Sequence, residues 1–321
     1  MWLILISSAT VSQSIAEKTE LFNTTFLDPA LLPPALATRI PVALPDPRAT
    51  FYGRWIDLIV RLRNISPNVV RTLTLTPYYA KTLLNASTVA MLTGRISNLH
   101  KEDLLDPSPF DHLFHKLAAA EAAPPRYFAR YDAASPKDSP LNAPLTSPSA
   151  VVHQLATSQR SHNSLSDALA LNSPIHIYFM PWDEMMDTRR EYRVFCAPTS
   201  EYNPRPNRVT AVSQYSWHKP SLLAELPREQ IEAEVNHLLE GIERIHREII
   251  AYSVNNGTKE SLDKEGFVFD VYVDIGIGEV QLLELNPFGI ASGCGSCLFN
   301  WVTDAETLYG NKEEIEVRLS I

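Results

Sequence analysis

Asp270, Glu284 and Asn286 are the residues whose types and spacing could do chemistry. Glu284 and Asn286 lie two apart in Leu282-Leu283-Glu284-Leu285-Asn286-Pro287, and Asp270 lies in Phe267-Val268-Phe269-Asp270-Val271-Tyr272. Residues two apart on a strand point the same way. Glu284 and Asn286 would then share one face, with Leu283 and Leu285 on the other. Two carboxylates and an amide oxygen make a hard, oxygen-only donor set, the kind that suits magnesium, which takes its remaining ligands from water and phosphate. The spacing alone fits a polar strand end equally well.

The elements that must position these residues are two strands, Phe267 to Asp274 and Glu279 to Asn286. The Ile275-Gly276-Ile277-Gly278 segment between them reads as a hairpin turn whose glycines supply positive φ. Further strands are expected at Val69 to Leu75, Ile175 to Phe179, Tyr192 to Cys196 and Val209 to Ser213. Helices are expected over Tyr52 to Leu62, over Tyr78 to Leu84, in the alanine-rich run within Asp106 to Ala123, and after the Ser147-Pro148 start signal. The clearest helix runs from Pro227 to Tyr252, where Ile231, Val235, Leu238, Leu239, Ile242, Ile245 and Ile249 form one apolar stripe. The mixture is α+β. Residues 1–50 are proline-rich and read as an irregular N-terminal extension, 51–310 as the folded domain and 311–321 as a C-terminal tail. Residues 132–166, rich in Ser, Pro, Ala and Asn, read mostly as loop.

Bulk properties exclude several classes. The chain has 321 residues, 45% of them hydrophobic, with a formal net charge of -9. No basic stripe is present, so nucleic acid is not an expected partner. No stretch is long enough to span a bilayer. The apolar run Trp2 to Ile6 lacks the basic flank and the length of a secretory signal. Cys196, Cys294 and Cys297 form a small, odd set that fits a reducing compartment, and a cytoplasmic location is expected. Cys294-Gly295-Ser296-Cys297 is a lone C-x-x-C with no second ligand pair for zinc, and reads as a flexible loop. His112 and His115 could share a helix face or simply be solvated. His246 reads as a surface or boundary residue of the long helix.

Asp270 followed fourteen residues later by Glu284-x-Asn286 resembles the magnesium-binding pattern of the ATP-grasp superfamily. More narrowly, Phe269-Asp270-Val271-Tyr272 with Glu284-Leu285-Asn286-Pro287-Phe288-Gly289 resembles the cell division cycle protein 123 family. Other segments agree in order: Phe51 to Trp55, Phe128 to Asp138, Thr146 to Leu155, Glu191 to Phe195, Val212 to Gln214, and Leu298-Phe299 with Trp301. The resemblance spans roughly residues 51–305. It implies an ATP-grasp fold of two lobes, with a nucleotide cleft between antiparallel sheets. It further implies ATP and Mg2+ as cofactors, with Asp270, Glu284 and Asn286 on the metal. Arg130, Lys137 and Arg193 would face phosphate, and Met180 to Trp182 would form the adenine hinge. No catalytic residue is assigned. The implied function is ATP-dependent assembly of eukaryotic translation initiation factor 2, through its gamma subunit. The alternative is an ATP-grasp carboxylate–amine ligase acting through an acyl phosphate. This chain departs from the family pattern in carrying Glu284 for the usual aspartate, Tyr215 for an arginine, and Ala133-Ala134 for an aromatic-rich stretch.

Overall fold

The computed structural model describes residues 1–25, 28, 34, 44–114, 125–141, 143–200, 203–274 and 278–321. In chain order the elements are β1 (Trp2–Ile6), α1 (Ser8–Ala16), α2 (Tyr52–Leu62), β2 (Arg71–Leu75), α3 (Pro77–Thr93), α4 (Asn98–Leu105), α5 (Asp111–Phe114) and β3 (Tyr127–Tyr131). There follow α6 (Pro148–Ala156), α7 (Gln159–Ala170), β4 (Ile175–Pro181), β5 (Glu191–Ala197), β6 (Arg208–Gln214), α8 (Arg228–Asn255), α9 (Lys259–Glu265), β7 (Phe267–Val273), β8 (Val280–Pro287), α10 (Ala305–Leu308) and β9 (Glu316–Ser320). Among the described residues no helix is long and apolar enough to cross a membrane. The chain divides into two compact units: residues 1–64 with 185–321, and residues 65–184.

The first unit is built on a six-stranded sheet in the order β1-β9-β6-β5-β7-β8. The pairs β1–β9 and β6–β9 are parallel and the others antiparallel. One face of the sheet receives α8. Its buried stripe of Ile231, Val235, Leu238, Ile242, Ile245 and Ile249 follows the expected helical spacing. The helix closes on β8 at Gly241, where a Cβ would lie 2.2 Å from a Val280 methyl. Helix α2 joins α8 through Trp55, whose ring meets Tyr252 at 5.7 Å. His246 is the boundary residue expected of it, half-buried against the sheet. Its ring stacks on Phe267 at 6.2 Å and its Nε2 donates to the Asn207 carbonyl at 2.7 Å. The other face carries an aromatic cluster that includes Phe195, Phe288, Phe299, Trp301 and Tyr309.

The second unit has a three-stranded antiparallel sheet, β2-β4-β3. Leu73, Ala129, Ile177 and Phe179 on one face join Leu83, Leu104, Val152, Leu155 and Leu165 from the helices in one core. Ser147 caps α6 by accepting from the Ala150 amide at 3.2 Å, as its sequence signal predicts.

Several expectations need correction. Residues 1–50 are not uniformly irregular, because Trp2 to Ile6 pair with Glu316 to Ser320 and α1 follows. The unbroken apolar run reads equally well as a strand, and β9 provides its partner. Residues 311–321 are not a tail. β9 lies inside the sheet with Val317 and Leu319 fully buried. The main sheet is mixed rather than antiparallel, since β9 reaches it from the chain's far end. Residues 132–166 hold α6 and the start of α7, whose cap Ser158 accepts from the Ser161 amide at 3.0 Å. The turn at 275–277, His115 and most of the alanine-rich run lie outside the described residues.

Candidate functional site

The antiparallel pairing of β7 with β8 sets Asp270 directly opposite Glu284. A bulge follows, so that Val271 pairs with Leu282 and Leu283 is the extra residue. A bulge re-aims the side chains on either side of it. Here it lets Glu284 and Asn286 share the Asp270 face while Leu282 and Leu285 stay buried. On the opposite side of β7, Asp270 lies across from Arg193 of β5, and Arg193 across from Ser213 of β6. Ser213 in turn faces Arg318 of β9. Glu284, Asp270, Arg193, Ser213 and Arg318 therefore form one polar row across five strands.

Arg193 and Asp270 are the centre of that row. The guanidinium donates from Nε and Nη2 to the two Asp270 carboxylate oxygens, each at 2.8 Å. Its Nη1 donates to the Gly295 carbonyl at 2.6 Å. Its remaining face lies over the Tyr215 ring, 4.9 Å from the centroid. Burial works against the charged guanidinium, but its surroundings together, led by the Asp270 carboxylate, hold Arg193 well above its ordinary pKa. Asn286 Nδ2 donates to Asp270 Oδ2 at 3.2 Å. A carboxylate only accepts, so the amide must present nitrogen to Asp270 and turn its oxygen elsewhere as an acceptor.

The three expected metal residues are thus brought to one sheet face. Their donors are a carboxylate on each strand and an amide oxygen, which fits a hard cation that takes few protein ligands. Among the described residues, no group of three or more His, Cys, Asp and Glu is placed to hold an ion. The set here is two acids and an amide. Asp270 also serves the Arg193 ion pair. The expected phosphate contact of Arg193 would draw on hydrogens other than the three already placed on Asp270 and Gly295.

The second unit holds the other expected residues. Arg130 on β3 and Met180 on β4 share the sheet face turned away from the core, Arg130 opposite Tyr178 and Met180 opposite Phe128. Both are nearly buried, and Arg130 Nε donates to the Tyr131 carbonyl at 3.3 Å. Lys137 is exposed in the loop after β3, its amide bonded to the Ser135 carbonyl. Trp182 follows β4, its amide donating to the Arg126 carbonyl at 2.8 Å, and its indole Nε1 is buried without a hydrogen-bond partner among the described residues.

Sequence reasoning missed Gly295, Tyr215, Ser213 and Arg318 as neighbours of the site. A backbone carbonyl leaves no signature in sequence. Tyr215 was noted only as a departure from an arginine, yet its ring is what the guanidinium lies on. Cys294 and Cys297 are buried free thiols in a closely bonded loop, not a flexible one. Burial pushes the Cys297 thiol up to about 12, although Arg193 pulls it down. A protonated buried thiol is a poor ligand and nucleophile.

No family model matches the chain, and no curated protein matches it. Solved structures do. Cdc123 from Schizosaccharomyces pombe superposes with a TM-score of 0.57 at 15% identity, over 87% of this chain and 100% of that one. A C-terminally truncated form of the same protein gives 0.54 at 16% identity, over 85% and 96%.

The chain has the Cdc123 fold.

At this level of identity the likeness extends to the arrangement of elements and not to individual side chains. The whole of the Cdc123 chain is covered, so the fold shared is a complete one. The polar row from Glu284 to Arg318 therefore belongs to the main sheet of a Cdc123 fold, on the face opposite α8.

Proposed function

We propose that the chain is a divergent member of the Cdc123 family, of the ATP-grasp type. It binds ATP with magnesium through Asp270, Glu284 and Asn286, and serves as an assembly factor for eukaryotic translation initiation factor 2 through its gamma subunit. The observation that carries this reading is the direct register of Asp270 with Glu284, with Asn286 bonded to Asp270, on the sheet of a Cdc123 fold. Magnesium bound there would neutralise phosphate charge and orient the triphosphate. Arg193 fixes the Asp270 carboxylate, while Arg130, Lys137, Met180 and Trp182 are assigned to the nucleotide by the sequence resemblance.

The test is a calorimetric titration of the full chain with ATP, with and without magnesium. Wild type is expected to bind in a magnesium-dependent way. Asn286→Ala and Glu284→Gln are expected to weaken that binding at least tenfold with little change in unfolding temperature. Equal affinity with and without the metal in wild type would overturn the metal assignment. Co-purification with the initiation factor's gamma subunit, stronger with ATP present, is the matching test for the partner.

A further inference from the structure

The segment from Glu20 to Thr24 is fastened to the loop that carries Gly295. The Asn23 amide donates to the Cys297 carbonyl at 2.7 Å and to the Phe299 carbonyl at 3.0 Å. In return, the Cys297 amide donates to Asn23 Oδ1 at 3.1 Å. The Ser296 amide donates to the Thr24 carbonyl at 3.1 Å, and the Trp301 amide to Thr24 Oγ1 at 2.8 Å. Asn300 Nδ2 reaches the Glu20 carbonyl. Asn23 and Cys297 both sit in the left-handed region, at φ 50° and 55°. Asn tolerates that conformation and Cys is poorly suited to it, so a reciprocal pair of bonds is what holds the loop there.

We propose that residues 20–24 are a strap that positions the metal site, with Asn23 as its positioning residue. The inference rests on the magnesium–ATP reading above. The path is short. Asn23 fixes Cys297, and the same loop delivers the Gly295 carbonyl to Arg193 Nη1. A guanidinium is planar and rigid, so holding Nη1 sets the direction of the Nε and Nη2 fork. The fork sets the rotation of the Asp270 carboxylate, which also accepts from Asn286. A displaced Gly295 would therefore be felt at two of the three metal donors. The strap's hydrogen bonds among the described residues go to the Gly295 loop and not to those donors. Its effect is on their orientation, and so on the affinity for the ion.

Gly295 marks how closely the strap lies. A Cβ there would come 2.5 Å from Asn23 Oδ1, although its backbone is open to any residue. Gly295→Ala is therefore a wedge between strap and loop. Asn23→Gly removes the acceptor while keeping a residue at ease with positive φ. In the full chain, each variant is expected to raise the magnesium concentration for half-maximal ATP binding about tenfold. ATP binding without magnesium should change far less, since Arg193 would meet phosphate through hydrogens other than the one Gly295 holds, and unfolding temperatures should stay within a few degrees. Combined, the two should be less than additive, because the new methyl occupies the space the amide vacates.

Wild-type magnesium dependence in both variants would overturn the strap. So would equal weakening with and without magnesium, which is the mark of a merely structural role. If wild type itself shows no magnesium-dependent binding, the functional reading falls first and the strap with it. Should Asn23→Gly fail to fold, Gly295→Ala delivers the same readout by itself.

Discussion

Arg193 and Asp270 are charged groups held almost wholly out of water, at 7% and 1% exposure. Desolvating both is costly, and only the two-point contact, with the Gly295 carbonyl as a third acceptor, offsets it. Removing one partner leaves the other buried and unmatched. Asp270→Asn is therefore expected to lower stability by about 3 kcal/mol, seen as a reduced urea midpoint at constant slope. Asp270→Leu combined with Arg193→Met should recover much of that loss, since no charge is left stranded. An unchanged midpoint for Asp270→Asn would refute the structural role of the pair. It follows that lost ATP binding in an Asp270 variant would mix two causes. Asn286, half-buried at the strand end and bonded to Asp270 through its amide alone, is the cleaner probe of the metal. The wish to mutate Asp270 first, natural from sequence, ignores what its carboxylate does for β5 and β7.

At the scale of elements, the site stands on β7 and β8, and these are held from behind by α8. Gly241 is where that helix and β8 meet. In an exposed helix, Gly→Ala would add about 1 kcal/mol of propensity. Here the new methyl would collide with the Cβ and a methyl of Val280, at 2.5 and 2.2 Å. Overpacking of that kind costs roughly 1–3 kcal/mol, so the clash is expected to win. Gly241→Ala should lower the unfolding midpoint, and adding Val280→Ala should restore part of it. A stabilised Gly241→Ala would show that helix and strand can slide apart freely.

The stripe of α8 and the β7–β8 alternation were legible in sequence because both are local patterns with a fixed period. The bulge at Leu283 was not, since one skipped residue leaves no compositional trace. Nor were β1 and β9 legible as a pair. Glu316-Val317-Arg318-Leu319 looks like a solvated tail, and its parallel partners lie far away in sequence. Only once Arg318 is seen bonded to Asp304, Glu316 and the Leu298 carbonyl does the alternation of charge become that of an interior strand. Asp270, Glu284 and Asn286 were legible as a trio of oxygen donors. That Arg193 holds the first of them was not, because cross-strand partners follow from register, and register from the tertiary fold.

On the scale of the whole molecule, the two units differ in how the chain builds them. The first joins residues 1–64 to 185–321, so its sheet is complete only when β1 from one end pairs with β9 from the other. The second is one unbroken stretch, Ile65 to Glu184, and among the described residues its buried core is drawn from Leu73 to Phe179. A chain of that length can bury about two-thirds of its surface, enough for a stable domain. Its sheet pairs β4 antiparallel with both β2 and β3, and its helices pack nearby in sequence, so its contacts are comparatively local. The expectation is that residues 65–184, expressed alone, fold. They should show a single cooperative urea transition and a near-ultraviolet signal from the packed rings of Tyr79, Phe110, Tyr127 and Phe179. Residues 185–321 alone should show neither, because β9 would lack β1, and the Gly295 loop would lack Asn23 and Thr24. A non-cooperative 65–184 fragment would mean that its core, self-contained in sequence, still depends on the rest of the chain for stability.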